Sequence, residues 1–147
     1  MLSKKNKMFN KETEYALRAL VYIQAENNHG RRAGIARIAR EIDAPPFFTA
    51  KILQRLVRQG FVGSVKGRGG GFFFDAERSP VLIRDVIVAV EGGDILTGCA
   101  FGLKFCDESN PCPLHVRYAP IREAMNRLVS DETVQSLAAR SGDKAGK

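Results

Sequence analysis

The chain has 147 residues, a hydrophobic fraction of 44% and a formal net charge of +7. That length sets one domain, or one domain with a dimerising appendage, and the apolar content excludes wholesale disorder. No run reaches the roughly 18 apolar residues of a membrane span, and no apolar stretch follows the basic N-terminal residues. Neither a transmembrane helix nor a secretory signal is therefore expected, and a cytoplasmic location is.

The charge is uneven. Residues 31–68 carry nine basic and two acidic side chains, residues 1–30 five and three, and residues 69–147 nine and eleven. A middle segment holding as much positive charge as the whole chain points to a polyanionic partner; a solvated basic face is the plainer alternative.

Residues 1–10 read as a flexible arm. Thr13 to Ala25 reads as the first helix, because Ala16, Leu17, Leu20 and Ile23 recur at helical spacing, and Gly30 suits its stop. Ile35 to Ile42 forms a short second helix, broken by Asp43-Ala44-Pro45-Pro46. Pro46 opens a third, running to about Gln59, with Phe48, Ile52, Leu53, Leu56 and Val57 as its buried face. Lys51, Arg55 and Arg58 follow at i, i+4 and i+7 and share the opposite face. Two short helices, a tight turn and a basic stripe match the helix-turn-helix plan. Val62 to Lys66 and Phe72 to Phe74 read as strands of a hairpin wing, with Lys66 and Arg68 at its glycine-rich tip. That glycine run fits neither the phosphate loop nor the dinucleotide fingerprint. With no Ser/His/Asp arrangement and no recognisable carboxylate pair, an enzyme is not expected.

Arg78-Ser79-Pro80 reads as the cap of a helix over about Leu82 to Glu91, ended by Gly92-Gly93. A long loop of about 24 residues follows, and such loops are usually functional or disordered. It holds every cysteine, as Cys99-x6-Cys106-x5-Cys112-x2-His115. Three is an odd number for a disulfide framework, so metal or redox chemistry is the better reading. Soft thiolates and one imidazole suit an iron–sulfur cluster or zinc. Zinc knuckles usually have closer spacing, and a metal-free thiol switch is the third option. Arg117 to Ser130 resumes helical spacing through Ile121, Ala124, Met125, Leu128 and Val129. This stripe reads as a dimer seam, with packing against the first helix as the alternative. Asp131 is placed to cap a last helix, Glu132 to Ala139, before a disordered tail over 141–147.

By its motifs the chain resembles the IscR/NsrR-type regulators, the Rrf-two family of bacterial winged-helix transcription factors. Thr13-Glu14-Tyr15-Ala16-Leu17-Arg18-Ala19-Leu20 looks like the family's opening helix, and Lys51-Ile52-Leu53-Gln54-Arg55-Leu56 like its recognition helix. Ser64 to Phe72 is similar to its wing, and Cys99, Cys106 and Cys112 look like its three cluster cysteines, with one extra residue in the first gap. The resemblance implies a mostly α fold with a small β-hairpin wing and a long dimerisation helix. The winged helix-turn-helix would span 11–91, the cluster loop 92–116, and the dimerisation and C-terminal helices 117–140. It also implies an iron–sulfur cluster. His115 matches the fourth ligand of the branch with two-iron (2Fe-2S) clusters, and is favoured. Glu14 matches the acidic ligand that the nitric-oxide-sensing branch supplies from the other subunit to a four-iron (4Fe-4S) cluster.

The expected function is a homodimeric regulator on a near-palindromic operator, a repressor or an activator, whose affinity for double-stranded DNA follows its cluster. Thr49, Ala50 and Lys51 are best placed for base edges. Arg55, Arg58, Arg31 and Arg32 are expected on phosphates, and Lys66 and Arg68 in the minor groove.

Overall fold

The computed structural model of the protein describes residues 8–141. Its first helix, α1 (Lys11–Asn28), is the pillar on which the rest is built. Ala16, Ala19, Leu20 and Ile23 are fully buried, and Val21 and Tyr22 nearly so, which leaves α1 covered on most sides. The small alanines let neighbouring helices approach closely. The helix starts two residues earlier than its apolar spacing predicts, because Asn10 accepts the Thr13 N–H at 2.8 Å as an N-cap. Asn10 is therefore an ordered part of the expected arm; residues 1–7, and 142–147 of the expected tail, lie outside the described residues.

Helices α2 (Ile35–Glu41) and α3 (Pro46–Arg58) form the helix-turn-helix. Asp43 makes the turn at a left-handed φ of 55°. Ile38 and Ile42 meet Ile52, Leu53 and Leu56 in the same core as α1. Strands β1 (Gly63–Val65) and β2 (Gly71–Phe73) pair antiparallel, with Ser64 opposite Phe72. The Phe72 N–H donates to the Ala33 carbonyl at 2.9 Å, so the chain before α2 joins the hairpin. Gly71 is required there. Its φ is 135°, and a side chain would meet the Ala33 backbone at 2.7 Å.

Helix α4 (Ile83–Glu91) packs on α1, but Ser79 is not its cap. The Ile83 N–H donates to Glu132 O at 3.0 Å and the Val81 N–H to Gln135 Oε1 at 2.8 Å. The distant segment at 132–135 thus meets the need that a local cap would have met. The long loop is shorter than its glycines and prolines predict, because α5 (Asp94–Thr97) forms within it and α6 (His115–Asp131) begins early. Helix α7 (Val134–Ser141) is capped by Thr133, not by Asp131. Thr133 Oγ1 accepts the Ser136 N–H at 2.8 Å while Ser136 Oγ accepts the Thr133 N–H at 2.9 Å.

The last two helices divide the roles expected of the 117–130 stripe. It is α7 that lies along α1, burying Val134 and Ala138, whereas α6 packs on α4 and α5. Only Val129 of α6 is buried; Val116, Ile121 and Leu128 are 79%, 57% and 54% exposed. Among the described residues no helix is long and apolar enough to cross a membrane.

Candidate metal centre and nucleic-acid interface

The chain from Gly98 to Leu114 leaves the end of α5, passes through all three cysteines and enters α6. Its Sγ atoms lie within 4.8 Å of one another. Cys99 and Cys112 are 3.5 Å apart, and Cys106 is 3.6 Å from His115 Nδ1. His115 is in place because it opens α6, its N–H donating to the Cys112 carbonyl at 3.0 Å. Between Cys106 and Cys112 the loop folds on Asp107, whose Oδ1 accepts the Ser109 and Asn110 N–H groups at 2.9 and 2.8 Å. The Ser109 hydroxyl and those N–H groups hold the Asp107 carboxyl below its ordinary value. A turn pinned in this way carries Cys112 back towards Cys106, and the Cys112 N–H donates to Cys106 Sγ at 3.4 Å.

The sulfurs differ in acidity. Burial pushes the Cys99 thiol up, but the N–H groups of Leu103 and Phe101 and the other two sulfurs overcome this and bring it down to about 7. At Cys106 the Cys112 N–H acts to lower the thiol, and burial with the neighbouring sulfurs outweighs it, so the thiol is raised. Three thiolates this close repel one another, and a cationic centre between them relieves that repulsion. The donor set of three sulfurs and one imidazole fits an iron–sulfur cluster or zinc in kind. Glu14, the other fourth-ligand candidate, lies on α1, where it faces Lys11 at 3.9 Å.

The site is joined to α6 by two further contacts. Arg122 Nη1 donates to Gly98 O at 3.2 Å, next to Cys99, and Asn126 Nδ2 donates to Leu96 O at 2.7 Å. One contact thus fixes α6 to the start of the cysteine segment and the other to α5.

The basic face differs in detail from its sequence reading. Lys51 and Arg58 are exposed on α3, Ala50 is half-buried beside them, and Lys66 and Arg68 are exposed on the wing. Thr49 does not face outwards. It is buried, and its Oγ1 donates to Pro45 O at 2.9 Å. Arg55 is also turned inwards. Its Nη2 donates to Ala89 O at 2.7 Å and Val90 O at 3.1 Å, closing the C-terminal end of α4, and its Nη1 meets Glu12 at 3.4 Å. Those bonds occupy the guanidinium expected on phosphate. Gln54 and Phe47 are exposed instead, at the spacing that puts them in line with Lys51 and Arg58. That spacing was the available signal, but an aromatic residue and an uncharged amide do not read as part of a basic stripe.

Arg31 and Arg32 lie before α2 and are both engaged. Arg31 Nη2 and Arg37 Nη2 meet the buried Glu26 carboxylate at 2.8 and 2.9 Å, while Arg32 stacks 4.7 Å from the Phe73 ring centroid. Hydrogen bonds from Arg31, helped by Arg37, hold Glu26 below the ordinary carboxylate value against its burial. Asn27 completes the junction by accepting the Phe74 N–H at 2.8 Å and donating to Arg31 O at 2.9 Å. The end of α1 thus fixes where the wing stands.

A family model described as an iron-dependent transcriptional regulator, Rrf2, matches residues 9–140. The chain belongs to the Rrf2 family. This is a family of transcription regulators, not of enzymes, and its members bind DNA. Protein aau3 of Rhizobium meliloti is 34% identical over 117 residues, covering 79% of this chain and 73% of that protein. The HTH-type transcriptional regulator IscR of Yersinia pseudotuberculosis is 25% identical over 123 residues, covering 84% and 74%. Among solved structures, CymR, described as the global cysteine regulator of B. subtilis, superposes with a TM-score of 0.69 at 18% identity, covering 95% of this chain and 98% of that one. The mostly α winged-helix architecture of this Rrf2 regulator is the one its motifs predict.

Proposed function

We propose that this Rrf2 regulator binds its operator as a homodimer, with an affinity set by an iron–sulfur cluster held by Cys99, Cys106, Cys112 and His115. The observation that carries the proposal is the convergence of all three Sγ atoms within 4.8 Å, with His115 Nδ1 3.6 Å from Cys106. Similarity to a protein named IscR supports it. The winged helix-turn-helix spans 11–91, the cluster loop 92–116 and the dimerising and C-terminal helices 117–140. When bound, the cluster supplies iron that is open to attack by nitric oxide or oxygen, because one of its four ligands is not a thiolate. His115 is favoured over Glu14 because it lies beside Cys106 in the same subunit, and the resemblance of a histidine at this place to the IscR-like branch implies a two-iron cluster over a four-iron one.

The chain's own residues provide the coupling. Arg122 ties the cysteine segment, and Asn126 the preceding α5, to α6, whose exposed Val116, Ile121 and Leu128 meet a second copy. A shift of α6 in a two-fold dimer changes the separation of the two α3 helices, and with it the fit to neighbouring major grooves. Lys51 and Gln54 face base edges; Arg58, Lys66 and Arg68 face the backbone or minor groove. Arg31 and Arg32 reach phosphate while Arg31 is also paired with Glu26 and Arg32 stacked on Phe73. A protein of this kind works in the cytoplasm, beside its DNA.

A second reading has one observation in its favour. Thiolates sharing one tetrahedral zinc, at Zn–S distances of about 2.3 Å, stand about 3.8 Å apart. The 3.5 Å between Cys99 and Cys112 matches that spacing, and it also suits direct oxidation of the pair without metal. Anaerobic purification with iron and sulfide separates the readings. A coloured protein with bound iron and sulfide, lost in Cys106→Ala, is expected. A colourless protein that holds only zinc, or no metal, overturns the cluster.

A further inference from the structure

The first turn of α3 carries an apolar group that packing within the chain does not explain. Phe47 is 68% exposed, although it is a large aromatic ring in a well-packed helical module. It is not loose. Pro45 is the N-cap and Pro46 the first helical residue, so the backbone under Phe47 is fixed. The Phe48 ring, itself 54% exposed, packs edge-to-face against it at 5.9 Å, and Lys51 Nζ lies 5.3 Å from its centroid. A held ring with two torsions loses little entropy when it meets a partner.

Its neighbours on the outer face are Ala50, Lys51, Gln54 and Arg58. That face is basic and amide-bearing, which suits a duplex rather than another protein's apolar core. Phe47 also stands at the N-terminal end of α3, the end of a recognition helix that reaches base edges. A phenyl ring can neither donate nor accept a hydrogen bond there. On the major-groove edge of the four bases, the one apolar group is the thymine 5-methyl.

We propose that Phe47 is a specificity-determining residue that reads a thymine methyl in the operator. The inference rests on α3 being the recognition helix, and its test keeps the two claims apart. The full-length protein is used to enrich binding sites from a library of duplexes with random cores. The enriched duplex is then remade with deoxyuridine in place of each thymine in turn, which removes the methyl and leaves every hydrogen-bonding group. At one thymine per half-site the protein should lose roughly fourfold in affinity, the value of burying one methyl-sized group. Phe47→Ser should still bind, and should bind the thymine and deoxyuridine duplexes equally.

Equal wild-type affinity for both duplexes at every thymine overturns the assignment while leaving α3 as the reader. A Phe47→Ser protein that keeps the full thymine preference does the same. If Phe47→Ser changes the oligomeric state and not the base preference, the ring belongs to a protein interface and the assignment fails. If the wild-type protein enriches no sequence at all, α3 is not a sequence reader and both claims fall.

Discussion

The core around α1 and the stretch from Gly92 to Asp131 meet their structural needs in different ways. In the first region α1 buries Ala16, Leu20 and Ile23 completely, and α2, α3, the hairpin, α4 and α7 close around it. In the second, α6 buries only Val129, while Val116, Ile121 and Leu128 stand in solvent. Phe101, Leu103 and Phe105 of the cysteine segment are exposed too. A densely buried core, closed by α7 and by the α4 cap from residues 132–135, holds one shape. Under the proposed function the second region is completed by a bound centre and a second copy and can take two shapes, as a sensor requires.

The largest effect should come from attacking the first region. Leu20→Ala removes a fully buried side chain from the pillar and should cost about 3 kcal/mol or more in a urea melt. Cys112→Ser, in the second region, should leave the metal-free melt almost unchanged. If both variants melted alike, the contrast between the regions would be lost.

Next in size is the α6 face. Changing Ile121 and Leu128 together to glutamate places charge on the proposed seam, and should weaken self-association by more than about 2 kcal/mol, read by sedimentation at several concentrations. The melt of the monomer should hardly move, because both side chains are exposed. A dimer that survives the double change places the seam elsewhere.

The Glu26 junction sharpens the account of how the DNA face is held. Its carboxyl lies below the ordinary value, chiefly through Arg31, so its contribution is present above the ordinary carboxylate range. That contribution is lost as pH falls through the lower folded value. Glu26→Gln should therefore destabilise by about 1–2 kcal/mol at neutral pH, less than a fully buried ion pair because both arginines are about half exposed. The gap between variant and wild type should close on acidification. A gap that stayed constant with pH would mean that the cost is packing, not charge.

Smallest is the wing tip. Arg68→Ala should weaken duplex binding by about 1 kcal/mol across sequences and lower the salt slope by about one. An unchanged slope removes Arg68 from the interface.

Legibility in the sequence follows a different divide, between local and distant partners. Helices α1 to α3 and the hairpin are readable because their apolar spacing, prolines and glycines act locally. The three cysteines are readable because the residue type is scarce, and their meeting in space agrees with that reading. What the sequence hides is set by distant partners. The cap of α4 comes from Glu132 and Gln135, and Arg55 turns inwards to carbonyls 34 and 35 residues away. No local pattern marks either. Phe48 is misread for the opposite reason: its helical spacing puts it on the buried face of α3, yet at the first turn it lies beyond the core and is 54% exposed, beside the exposed Phe47.

The most direct measurement of the central claim is operator affinity of one protein preparation at fixed salt, with its centre filled and then emptied anaerobically. The account predicts a difference of roughly 5- to 150-fold, and its disappearance in Cys106→Ala. Equal affinity in the filled, emptied and Cys106→Ala states would contradict it.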